Sequence, residues 1–199
     1  MTRLLRPLAL MPAIFALAAG TAAAQERIVK PPPHIVEEQT VQCLVCHGED
    51  GRPVVENAPI IFGQQLYYLF VQLRDFAAGR RESEIMTPIA ADLDRKQMEA
   101  LAKYFSEQEW PTIQASPTDA QRAVGERLGI SGQCPQCHLG GYNGVSRNPR
   151  LAGQTPEYLE KTMLDFKYRR RKNAPDKSVL IESFSDEDLA ATAHYLAGF

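Results

Sequence analysis

The chain has 199 residues, with 22 basic and 24 acidic side chains, and a formal net charge of −2. That balance excludes the basic footprint of a nucleic-acid binder. The length allows one or two small domains, and the only cysteines are two close pairs, Cys43/Cys46 and Cys134/Cys137.

Residues 1–24 read as a secretory leader. Arg3 and Arg6 precede a short apolar run from Leu8 to Ala19, and Ala22-Ala23-Ala24 offers a cleavage site before Gln25. The run is shorter than the roughly 18–20 residues of a membrane span; an uncleaved N-terminal anchor is the alternative. Cleavage near Ala24 leaves 199 − 24 = 175 residues, and losing two arginines takes the charge from −2 to −4. The expected location is the periplasm.

The first expected helix precedes and contains Cys43-Leu44-Val45-Cys46-His47. This spacing is the attachment signature of c-type haem: two thiols add to the two vinyl groups of the macrocycle, and the adjacent histidine is held beneath the iron. A middle helix follows Gly63-Gln64, with Leu66, Leu69, Phe70, Leu73 and Phe76 on one buried face. The last helix of this half starts near Asp94, with Gln97 at its third position and Met98, Leu101, Ala102 and Phe105 inside. A linker then runs from Ser106 to Pro117. It contains the helix-breaking pairs Trp110-Pro111 and Ser116-Pro117.

The plan then repeats. Thr118 to Gln121 form a capping box, and Cys134-Pro135-Gln136-Cys137-His138 follows. Asn148 to Gln154 match Asn57 to Gln64 with one residue fewer. Tyr158-Leu159 match Tyr68-Leu69, and Asp165-Phe166 match Asp75-Phe76. A last helix from near Ser185 buries Leu189, Ala193 and Leu196. The domains are therefore expected at 25–110 and 118–199, joined by 111–117. Each is small for a free-standing core, and a covalent haem supplies the apolar centre that a few helices need. A four-cysteine zinc site or two disulfides is the competing reading of the cysteines. The histidine after each pair, the separate repeats and the export signal weigh against it.

Both C-x-x-C-H motifs, the Gly-Gln segments, Tyr-Leu, Asp-Phe and Met86-Thr87-Pro88-Ile89-Ala90 together resemble dihaem class I cytochromes c of the cytochrome c4 type. The second half is also similar to the cytochrome subunit of flavocytochrome c sulfide dehydrogenase. The resemblance covers essentially the whole mature chain. It implies an all-α fold of two tandem class I cytochrome c domains, two covalently bound haem c groups, and electron transfer. Cys43 and Cys46, and Cys134 and Cys137, would carry the thioethers; His47 and His138 would be the proximal ligands. Met86 stands where such cytochromes carry the sixth ligand, on a loop between the middle and last helices. A thioether there raises the potential.

The second half departs from the pattern. No methionine follows Met163, which aligns with Leu73 on the middle helix. Counting from either flank puts Asp176 or Lys177 opposite Met86. Three readings stay open: Lys177 binds iron through its neutral amine, the sixth position is open or holds water, or His194 or His34 takes it. The neighbouring basic run, Arg169 to Lys172 with Lys167 and Lys177, is either a solvated loop or a docking patch for an acidic partner or anionic substrate.

The expected function is a periplasmic carrier between a donor dehydrogenase and a terminal oxidase or reductase, associated with membranes only through its partners. The alternatives are the cytochrome subunit of a periplasmic flavoprotein dehydrogenase, and an enzyme using an open or Lys-ligated second haem.

Overall fold

The computed structural model describes residues 30–199; the leader lies outside them. Among the described residues the chain is helical, with one isolated bridge, Val145 to Asn148, in place of any strand. No helix there is long and apolar enough to cross a membrane.

The first half contains α1 (Glu37–His47), α2 (Leu66–Ala77), α3 (Met86–Ala91) and α4 (Arg95–Ser106), preceded by a 3-10 turn at His34–Val36. The second contains α5 (Asp119–Ser131), α6 (Cys134–His138), α7 (Pro156–Lys167), α8 (Pro175–Ile181) and α9 (Asp186–Ala197). The amphipathic stripes fall where the periodicity puts them except at Leu66, which opens α2 and is exposed rather than on its buried face. Leu69, Leu101, Ala102 and Phe105 enter the first core with Val36, Phe62 and Tyr104. Leu189, Ala193 and Leu196 enter the second. The capping boxes close as read: Asp94 accepts from the Gln97 N–H, and Thr118 from that of Gln121.

Two features differ from the sequence reading. The segments holding Met86 and Lys177 are short helices rather than loops. Ser83 starts the first: its Oγ accepts from the Met86 N–H at 3.1 Å, and its own N–H donates to Thr87 Oγ1 at 3.0 Å. A proline sits in the first turn of α8, where its missing N–H costs nothing. In the second half the first helix is interrupted. α5 ends at Ser131, Gln133 takes a left-handed conformation (φ 55°), and the cysteine motif makes its own short turn, α6.

The two halves meet through a reciprocal exchange of glutamines. Gln154 Oε1 accepts from the Ile60 N–H at 2.8 Å, and its Nε2 donates to the Ile60 carbonyl at 3.0 Å. Gln64 does the same to Arg150, at 2.7 and 3.0 Å. Each Oε1 also accepts the N–H of the residue that follows it. The repeated Gly-Gln thus pairs each half with the backbone of the other. The linker also belongs to this junction: Trp110 donates from Nε1 to the Gly153 carbonyl at 3.3 Å, and the Arg150 guanidinium lies 4.4 Å from its ring centroid.

Candidate haem sites

Cys43, His47, Met86, Cys134, Cys137, His138 and Lys177 all line one cavity of about 610 Å³ that extends between the halves. None of the four cysteines pairs in a disulfide, and burial pushes the Cys43 thiol up to about 11. Among the described residues, no three His, Cys, Asp or Glu side chains group as a metal ion would need.

Each histidine is oriented from behind. His47 Nδ1 lies 2.8 Å from the Pro59 carbonyl, and His138 Nδ1 lies 2.8 Å from that of Pro149. A carbonyl only accepts, so Nδ1 carries the proton and Nε2 keeps its lone pair for a metal. Burial lowers both imidazoles, the Pro59 and Pro149 carbonyls pull the other way, and Lys177 lowers His138 further. A neutral imidazole is the form that binds iron. The prolines occupy matched positions in the repeat, so one turn presents both rings. Thiol pairs, oriented imidazoles and an apolar cavity wall together fit haem in each half.

Met86 is half-buried at the cavity edge, at the first residue of α3. Lys177, the third residue of α8, lines the same cavity. Its Nζ lies 2.6 Å from Asp176 Oδ2; its charge adds to the burial that lowers His138 and offsets part of the burial that raises Cys134. His34 is fully exposed beside Glu37, and neither it nor His194 lines the cavity. Met163 does line it, packed with Cys134 and Leu151, as its counterpart Leu73 does in the first half.

The basic run is largely consumed within the chain. Arg169 pairs with Glu182, Arg170 with Asp165, and Lys167 with Asp186. Arg171 is buried instead, 4.5 Å above the Phe166 ring. It reaches Tyr68 Oη at 3.3 Å and Gln72 Oε1 at 2.8 Å in the other half. Arg81, its counterpart, lies 4.5 Å over Phe76 and donates to Gln72 Oε1 at 2.8 Å and to Tyr158 Oη at 3.2 Å. Sequence reasoning missed this cluster. The signal was present: Arg81 and Arg171 each stand five residues after the matched Phe76 and Phe166.

No protein-family model matches the chain. It is 33% identical to cytochrome c4 of Thiocapsa roseopersicina, over 78% of this chain and 86% of that protein. It is 32% identical to a thiosulfate dehydrogenase electron acceptor of Stutzerimonas stutzeri, over 78% of this chain and 77% of that protein. The crystal structure of reduced cytochrome c4 from Pseudomonas stutzeri superposes with a TM-score of 0.73 at 29% identity, covering 81% of this chain and 95% of that one. The chain belongs to the cytochrome c4 family. It is an electron-transfer cytochrome of two class I domains that takes haem c.

Proposed function

We propose that this cytochrome c4-type chain is a periplasmic carrier, binding two haems, that accepts electrons from a dehydrogenase and delivers them to a terminal acceptor. The observation carrying the reading is the convergence of two matched constellations, each two thiols and one backbone-oriented histidine, on one cavity. Bound haem supplies the one-electron couple. Cys43 and Cys46, with Cys134 and Cys137, hold the two groups, at domains 25–110 and 118–199. His47 and Met86 ligate the first iron, His138 and Lys177 the second. Lys177 must release its proton to do so, which a neighbouring metal cation favours. An amine in place of the Met86-type thioether lowers the second potential relative to the first.

The S. stutzeri relative named as a thiosulfate dehydrogenase electron acceptor supports a dehydrogenase of that chemistry as donor. Exposed Val41, Val45 and Val54 stand near the first haem motif, with the Val54 N–H bonded to the Cys46 carbonyl. They offer an apolar contact for a redox partner close to a thioether.

Two measurements test this. Mixed with a thiosulfate dehydrogenase and thiosulfate, the ferric holoprotein should be reduced at both haems, and not by thiosulfate alone; no reduction rules out that donor. Low-temperature near-infrared magnetic circular dichroism should show one methionine–histidine haem and one low-spin haem with two nitrogen ligands. A high-spin second haem overturns Lys177 as its ligand and favours small-molecule chemistry at an open iron.

A further inference from the structure

The two haem motifs stand in segments of opposite charge. From Glu37 to Glu56 the chain carries five acidic residues and one basic, Arg52, a net of −4. The matched stretch 91 residues later, 128–147, carries no acidic residue and one basic, Arg147, a net of +1. Both ends expose apolar side chains: Val41, Val45 and Val54 around the first motif, Ile130, Leu139 and Val145 around the second. Apolarity is common to the two ends, and charge separates them.

The first face is assembled by α1 and the loop after it. Glu38, Val41, Gln42 and Val45 follow at helical spacing, so they share one side of α1. Val41 and Val45 are 62% and 67% exposed, and Val45 stands between the two cysteines of its motif. The Cys46 carbonyl accepts from the Val54 N–H at 3.1 Å, which sets Val54, 71% exposed, beside the same turn. Glu38 lies at one end of this valine strip, Glu49 just past the other, and Glu56 two residues beyond Val54; all three are exposed. None of the three pairs with a cation among the described residues. The local arginine, Arg52, is held instead by Asp50 at 2.7 Å and by the Thr112 carbonyl at 3.3 Å. Unpaired carboxylates around an exposed apolar centre add little to the fold. They suit association, where the centre gives affinity as water leaves and the rim decides which partner approaches and how fast.

We propose that this face docks a redox protein whose own contact surface is an apolar centre ringed by lysine or arginine, and that the second-haem end, lacking the acidic rim, does not take that partner. The proposal rests on the carrier reading above, which supplies the haem that the partner must reach. An acidic rim attracts a basic ring and repels an acidic one, so the two ends of one carrier select different proteins. Donor and acceptor then need not compete for one surface.

The probe is a monohaem cytochrome c with lysines around its exposed haem edge. Electron exchange with the holoprotein, one electron per encounter, is followed by stopped flow. Charges act over about 30 Å at 0.01 M ionic strength and about 3 Å at 1 M, so the association rate should fall at least about tenfold between them. Glu38→Gln, Glu49→Gln and Glu56→Gln together should remove most of that low-salt acceleration and change little at 1 M. Glu157→Gln, Glu160→Gln and Glu187→Gln alter the net charge equally from the second half and should cost less than about twofold. Val41→Ser with Val54→Ser should slow the exchange at both salts. With a redox-inert, zinc-substituted probe, amide NMR shifts of the holoprotein should centre on 38–56 and spare 128–147. Rates independent of salt, equal losses in the two triple variants, or shifts centred on 128–147 overturn the face and leave the carrier intact. Self-association of the holoprotein that the first triple variant abolishes assigns the face to a second copy and overturns it too. Shifts at 38–56 without two reversible haem couples overturn the carrier reading alone.

Discussion

Replacing Gln154 by alanine should open the junction between the halves. Gln154 is 1% exposed, and its amide satisfies both the N–H and the carbonyl of Ile60, which is equally buried. A buried backbone group left without a partner costs about 1–3 kcal/mol. Two such groups, less some relaxation, put the loss at about 3 kcal/mol. The third bond, to the Thr155 N–H, adds little, because that donor starts α7 where water can reach it. For a chain of this size the loss corresponds to about 6–12 °C in melting temperature. Urea unfolding of the holoprotein, followed by Soret absorption and Trp110 fluorescence, measures it. Wild type should unfold in one transition, and Gln154→Ala in two, because the halves no longer share the interface. Gln64→Ala should behave alike, and the double variant should lose less than the sum, since one open junction leaves little for the second change to break. A loss below about 1 kcal/mol, with a single transition kept, would refute the view that these glutamines join the domains.

Met86→Ala should change the first haem's spectrum and lower its potential, while the second haem's ligation stays intact by magnetic circular dichroism; a surviving methionine signature removes Met86 from the site. Lys177→Ala should convert the second haem from low to high spin without touching the first. Gly125→Ala on α5 should destabilise the second domain by about 1–3 kcal/mol, because a Cβ there meets the Tyr195 ring at 2.3 Å; equal or greater stability would show that α5 and α9 separate freely.

Much of this was legible in the sequence because it is local. The first haem motif, most of the helix stripes and the capping boxes depend on spacings within one turn or one helix, and they stand where the spacing puts them. The short helices α3 and α8 were not legible: six or seven residues give too few periods to reveal a face, and Ser83 and Pro175 start them by local bonding rather than pattern. The break at Gln133 was hidden because a left-handed non-glycine residue leaves no sequence mark. Long-range pairings were the other blind spot. Gln64 and Gln154, and Tyr68 and Tyr158, were visible as repeated letters. Nothing in one chain, however, says that a repeated residue is repeated because it reaches across to the opposite copy. The basic run shows the same limit, since Arg171 reads like its neighbours and is buried where they are not.

The repeat is symmetric where it holds the halves together and asymmetric where it meets the second iron. Glutamine exchanges for glutamine, arginine for arginine and tyrosine for tyrosine across the junction, and the two proline carbonyls orient the two histidines at the same 2.8 Å. The sixth-ligand positions break that rule, with Met86 on α3 and Lys177 on α8. Gln72 breaks it too, since it serves both arginines while Thr162 occupies the matched place. A duplicated scaffold fixes the relation between two haems whatever their ligands. Changing one ligand then separates their potentials without disturbing the geometry between them. Unequal potentials on a fixed path give electron flow a direction, and that is the property a two-haem carrier has and a one-haem carrier lacks.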